Sequence, residues 1–105
     1  MKAVFLRSAE SDLQAIKRYV VQNFGQDVWR ASLVKIKDAV AVIEQHPHLG
    51  RVPAELQSLH ITQYRQVLSG MNRIIYEVRG DTAYIHVVCD VRRDLKSLLL
   101  ERMVK

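Results

Sequence analysis

The sequence predicts an α+β fold: a helical hairpin packed on a mainly antiparallel four-stranded sheet, in the order β-α-α-β-β-β, closed by a short C-terminal helix. Three observations carry this. The first half holds two amphipathic helical patterns separated by one glycine, Gly25. The last third reads as two β-type runs, Met71 to Val78 and Thr82 to Val91, joined by the turn Arg79-Gly80-Asp81. With 105 residues there is room for one hydrophobic core, so residues 1–105 are expected to form a single domain.

In chain order, the apolar run Lys2 to Arg7 predicts a first short strand. Ser8 is placed to cap the following helix, and Glu10 and Asp12 put negative charge in its first turn, where the helix dipole favours it. Ala9, Leu13, Ile16, Val20 and Phe24 then recur at helical spacing on one face. Gly25 ends that helix, because glycine takes a left-handed conformation without steric cost. A second helix from about Asp27 to His46 follows from Trp29, Leu33, Ile36, Val40 and Ile43. Pro47 and Gly50 break it.

The stretch Arg51 to Gln63 is the least legible, with one helical turn expected over Glu55 to Leu59. Tyr64 to Ser69 reads as the second strand and Ser69-Gly70 as the turn after it. In the third strand Ile74, Tyr76 and Val78 point one way, and Arg73, Ile75, Glu77 and Arg79 the other. The fourth strand is apolar almost throughout, as a central strand buried on both faces would be. The helical hairpin is expected to cover one sheet face and leave the other for function or a partner. The segment Leu95 to Met103 closes the chain as a helix, with Leu95, Leu98, Leu99 and Met103 as an apolar stripe suited to core packing or to docking.

An apolar fraction of 49% and a charged fraction of 26% are those of an ordinary soluble protein. The net charge of +5, with arginines gathered late in the chain, points to an anionic partner: nucleic acid, ribosome or an acidic protein. Cys89 is the only cysteine, which excludes an internal disulfide and argues against a Cys-based zinc site. His46 and His48 flank Pro47 without acidic or Cys neighbours, so they read as loop histidines; no metal and no cofactor is expected. The N-terminal apolar run is too short for a membrane span, and a cytoplasmic location is expected.

No phosphate-cradling glycine loop, Gly-x-Ser-x-Gly elbow or His-Glu-x-x-His motif is present. The richer set lies on the strands. Arg65, Arg73 and Glu77 occupy positions able to share the helix-free face, joined by either Tyr84 and His86 or their alternate neighbours. Arginines there would bind phosphate while a His or Glu moves a proton, the requirements for cleaving RNA at a 2′-hydroxyl. A solvated face with cross-strand Arg–Glu pairs accounts for the same pattern. At Arg92-Arg93-Asp94, either Asp94 caps the last helix and frees the arginines for an anionic target, or Arg93 pins the helix by pairing with a carboxylate.

Several motifs in series resemble the RelE/ParE family of toxins from type II toxin–antitoxin systems. They are Ser8-Ala9-Glu10-Ser11-Asp12-Leu13 with Ile16-Lys17-Arg18-Tyr19, His46-Pro47-x-x-Gly50-Arg51, Tyr64-Arg65, Asn72 to Val78, and Val87 to Leu95 with its Arg92-Arg93-Asp94-Leu95 close. The resemblance implies a toxin held inactive by a cognate antitoxin, ParD-like, acidic and folding as it binds. It implies one of two targets. ParE-like members poison DNA gyrase, with consequences in growth arrest and plasmid stabilisation; RelE-like members are ribosome-dependent mRNA endoribonucleases. The absence of Tyr and His after His86, the Pro47 to Arg51 turn and Arg92-Arg93-Asp94 favour the ParE-like branch, with Arg65, Arg73, Arg92 and Arg93 as target contacts. On the nuclease alternative, Arg65 and Arg73 would hold phosphate and Glu77 or His86 would transfer protons. Asp90 stands where many ParE-like chains carry a histidine before the arginine pair, inverting the local charge.

Overall fold

A computed structural model describes residues 1–104, with the side chains of 103 and 104 excepted. In order, the elements are β1 (Lys2–Phe5), α1 (Arg7–Phe24), α2 (Gln26–Gln45), α3 (Ala54–Gln57), β2 (Tyr64–Ser69), β3 (Asn72–Arg79), β4 (Thr82–Asp90) and α4 (Leu95–Val104). The four strands form one sheet in the order β1-β4-β3-β2. β2, β3 and β4 are antiparallel neighbours, and β1 runs parallel to β4 on the far edge. The apolar β4 is therefore a central strand, as its composition predicts.

The helical hairpin is joined by a single residue. Gly25 sits at φ +93° and ψ 171° and closes α1 by donating its N–H to the carbonyls of Val20 and Val21. That is an extended backbone with positive φ, open essentially to glycine alone, rather than the left-handed helical conformation. Ser8 does not cap α1, which begins one residue earlier with Leu6 as its cap. Instead the Ser8 hydroxyl donates to the carbonyl of His86 on β4.

Two cores flank the sheet. On the hairpin side Ala9, Ile36, Ala39 and Ile43 pack on Ile74, Tyr76, Ala83, Ile85 and Val88. On the other side Leu56 of α3 with Leu95 and Leu98 of α4 pack on Ile75, Val87 and Cys89. The face expected to be free is thus half covered, because the stripe of α4 and one leucine of α3 are core residues. Met103, the fourth member of the predicted stripe, lies outside the described side chains.

The alternation along β4 slips by one residue at a bulge. Ile75 pairs with Val87 and Tyr76 with Ile85, leaving His86 as the extra residue. The slip carries the hairpin-side positions from Ala83 and Ile85 to Val88. It leaves His86 on the face of Tyr84 and Glu77 and brings Val87 onto that face as well. Beyond β1 the outer edge of β4 is masked by side chains: Val88 donates its N–H to Asp12, and Arg102 donates to the carbonyl of His86 and to Asp12. Such masking keeps an exposed edge from pairing with another chain.

Candidate functional site

Two regions bring chemistry-bearing side chains together. The first is the part of the α3/α4 sheet face that those helices leave open. Here His86 Nε2 lies 3.0 Å from Glu77 Oε1, the Arg79 guanidinium lies 3.1 Å from the same oxygen, and the ring of Tyr64 meets His86 edge-on at 5.1 Å. Arg79 also lies over the ring of Tyr84 at 5.7 Å. Burial pushes the His86 pKa below its usual value, opposed by its bond to Glu77. A neutral imidazole donating Nε2–H to the Glu77 carboxylate fits both facts. Burial raises the Tyr64 phenol, with the Glu77 charge adding to it. The cluster is able to exchange a proton and places one cation beside it.

Neither of the arginines predicted to act here joins the cluster. Arg65 is paired with Tyr76 in register, which puts it on the hairpin side of the sheet. Its guanidinium donates to the carbonyls of His48 (3.1 Å) and Gly50 (2.8 Å). It therefore fastens the Pro47 to Arg51 turn, which also bridges to β2 through Arg51 and Gln66. Tyr76, fully buried beneath the helices, donates its hydroxyl to the carbonyl of Pro47 at 2.7 Å. Gly50 is required at this crossing, since a Cβ there would lie 2.3 Å from the Tyr76 hydroxyl oxygen.

Arg73 has the expected face but is only 6% exposed. It makes a two-pronged pair with Glu55 of α3 and donates to Gln66 Oε1 on β2 and the carbonyl of Arg93. Its pairing holds the Glu55 carboxyl below the usual range, and the same pair raises the guanidinium. Arg73 is a buried junction between α3, β2 and the β4–α4 turn.

The second region starts at that turn. Asp94 caps α4, accepting from Ser97 N (3.3 Å) and Ser97 Oγ (2.8 Å), which lowers its pKa. Arg92 is exposed but folds back on Asp90, with Nε 2.9 Å from Oδ1. Their hydrogen bond is the main reason the Asp90 carboxyl is lowered. The exposed Arg93 side chain has no carboxylate partner among the described residues, so Asp94 caps the helix and Arg93 is left free, whereas Arg92, expected to be free with it, is held by Asp90.

Arg92 and Arg93 stand on the rim of a groove of about 890 Å³ that runs between α1, the start of α2, the β2–β3 turn and the base of α4. Ile16, Val20 and Val88 contribute apolar floor, and Phe24, Val28 and Met71 are strongly exposed beside it. Tyr19 stacks edge-on against Phe24 here, the rim position its place on α1 suggests. Sequence reasoning missed the groove's Lys35 and Ser69, and the Asp12–Arg102 pair at its base. It also missed Tyr64 and Arg79 as neighbours of His86. The signal for the last was the broken alternation at Ile85-His86-Val87-Val88, which marks a bulge.

Among the described residues no helix is long and apolar enough to cross a membrane, and no group of three or more His, Cys, Asp or Glu is arranged to hold a metal.

The profile described as "ParE toxin of type II toxin-antitoxin system, parDE" matches residues 3–95. The chain belongs to this ParE toxin family. A chain of the solved "Chromosomal ParDE TA system from P. aeruginosa" has the same fold, with a TM-score of 0.72 and 21% identity, over 88% of this chain and 97% of that one. No curated protein matches the sequence. The matched span runs from β1 through the Arg92-Arg93 turn to Leu95 and takes in the first region and all of the second except its α4 residues.

Proposed function

We propose that this ParE-family chain is a cytoplasmic toxin that binds DNA gyrase and traps its DNA-cleaved state, arresting growth without turning over a substrate. A cognate acidic, ParD-like antitoxin neutralises it. The observation that carries the reading is the distribution of its arginines. Arg65 and Arg73 are committed to holding the Pro47 to Arg51 turn and the β4–α4 turn. Arg93, with Arg92 beside it, is presented to solvent on a basic, apolar-floored groove. A protein poison needs such a contact surface and no reacting centre. Arg92 and Arg93 are the target contacts on this reading, and Arg65 and Arg73 act by shaping what surrounds them.

Purified toxin incubated with gyrase, ATP and plasmid is expected to accumulate linear DNA after detergent and protease treatment. Arg93→Ala is expected to reduce it by at least fivefold, on the order of the loss of one charge-assisted contact. Unchanged poisoning by that variant would remove the turn from the target interface.

The Glu77–His86 pair favours one second reading, a ribosome-dependent mRNA endoribonuclease. On it, neutral His86 takes the 2′-hydroxyl proton, Glu77 orients the imidazole and Arg79 faces the phosphate. His86→Ala separates the two readings. A nuclease loses its toxicity with that change, whereas a gyrase poison keeps it.

A further inference from the structure

Of the two arginines on the rim of the groove, one is held and the other is not. The turn that carries them, Asp90 to Arg93, is closed by Arg93 N–H donating to the carbonyl of Asp90 at 3.0 Å. Val91 N–H ties it to the β2–β3 turn by donating to the carbonyl of Met71 at 2.9 Å. Arg73 holds the carbonyl of Arg93. With its N–H and carbonyl both bonded, Arg93 has a fixed backbone, and its exposed side chain makes no hydrogen bond among the described residues.

Arg92 differs. It donates to the Asp90 carboxylate from its backbone N–H (2.8 Å) and Nε (2.9 Å), both to Oδ1, and from Nη2 (3.2 Å) to Oδ2. The backbone bond, from an Asp side chain to the residue two positions on, is local turn chemistry. The side-chain bonds are not needed by the turn. They occupy the Nε–Nη2 edge of the guanidinium, a fork with which arginine grips a carboxylate or phosphate. An anion approaching Arg92 therefore meets a neutral pair instead of a cation.

We propose that Asp90 is an internal competitor for Arg92, a latch that the target has to displace and whose carboxylate thereby limits how tightly the toxin binds. The inference rests on the gyrase reading above, which takes this turn as the contact surface, and adds the residue that restrains the contact. Arg93 engages first, and Arg92 joins it as Asp90 is displaced. The side chains of Asp90 and Arg92 are 40% and 81% exposed, so the latch is weak enough for a target to open. Its removal is worth a few-fold in affinity, not orders of magnitude.

Asp90→Asn separates the latch from the turn, because the amide oxygen still accepts the Arg92 backbone N–H while the negative charge is gone. It is expected to lower the toxin concentration that gives half-maximal linear DNA by about 2- to 5-fold. Removing an acid from a chain of net charge +5 also strengthens its general attraction to anions. The same change made together with Arg92→Ala isolates the latch: a gain that acts through Arg92 disappears in that background.

The experiment titrates wild type, Asp90→Asn, Arg92→Ala and the double variant in the plasmid cleavage reaction with gyrase. Alongside it, NMR measures water exchange of the arginine Nε–H groups in the free toxin. The expected result is a gain from Asp90→Asn in the wild-type background and none beside Arg92→Ala. In the free wild type, Arg92 Nε–H should exchange more slowly than Arg93 Nε–H, and the two should become alike in Asp90→Asn. With normal wild-type poisoning, an equal gain in both backgrounds, or no gain in either, would overturn the latch alone. Equal exchange at Arg92 and Arg93 in the wild type would overturn it too. No linear DNA from wild type at any concentration would overturn the gyrase reading, and the latch with it.

Discussion

Arg73 and Glu55 meet through two parallel hydrogen bonds, Nη1 to Oε1 at 3.1 Å and Nη2 to Oε2 at 2.9 Å, joining the middle of the sheet to the short α3. The same guanidinium holds the carbonyl of Arg93 at 2.9 Å. A residue that looked like an anion contact in the sequence is thus the internal support of the turn that presents the exposed arginines. Burying a charge is tolerated only with this degree of pairing, and removing one partner of such a pair is costly.

Arg73→Ala is accordingly expected to cost about 3 kcal/mol, at the lower end for a buried pair because Glu55 can regain water. Urea denaturation measures it. The pair also has a pH signature. The pairing lowers the Glu55 pKa below its ordinary 4.5, so its stabilisation is present above that value and is lost as pH falls through the folded-state value. In Arg73→Met that part of the acid sensitivity should vanish.

His86 gives a second, separable pH effect. Its folded-state pKa is depressed below 6.5, chiefly by burial, so protonation favours the unfolded chain. Its contribution to stability is present above pH 6.5 and declines as pH falls through the folded value. His86→Gln should flatten the stability profile between pH 7 and the depressed value while leaving the Glu55 limb in place. Melting temperatures across that range decide it.

The close approach of Gly50 to Tyr76 predicts a large effect from a single methyl group. Gly50→Ala would force the Tyr76 hydroxyl away from the Pro47 carbonyl and is expected to destabilise by about 2–3 kcal/mol. Tyr76→Phe, which loses the hydrogen bond without the clash, should cost about 1 kcal/mol. Equal losses from the two would mean that the loop moves as a unit to make room.

The Asp12–Arg102 pair ties the far end of α4 to α1 and to the open edge of β4. Arg102→Ala is expected to cost about 1–2 kcal/mol as a partly buried charged contact. Its clearest readout is amide exchange, which should accelerate at the end of α4 while the protection of β3 stays unchanged.

The sheet and the hairpin were legible because their apolar periodicities are long and regular, from Ala9 to Phe24, from Trp29 to Ile43 and along β3. The Asp94 cap was legible because it depends on local spacing alone. What escaped depends on register between distant strands. Arg65 and Arg73 fall on opposite faces because Arg65 pairs with Tyr76 while Arg73 pairs with Leu68, an even-odd relation that no window of sequence contains. The covering of the second face escaped for a similar reason: a stripe of leucines in α4 fits core and docking surface equally until Leu56, Ile75 and Val87 are seen beneath it. Asp12 reads as a dipole ligand in sequence. Its actual partners lie 76 and 90 residues away.

The central claim is that this ParE-family chain acts on gyrase through the Arg92-Arg93 turn. It is tested most directly by the plasmid cleavage gel, run with wild type, Arg92→Ala with Arg93→Ala, and His86→Ala at equal concentration. The account predicts linear DNA with wild type and with His86→Ala, and little or none with the double arginine variant. Normal supercoiling with no linear product from wild type, alongside mRNA cleavage on translating ribosomes that His86→Ala abolishes, would contradict it.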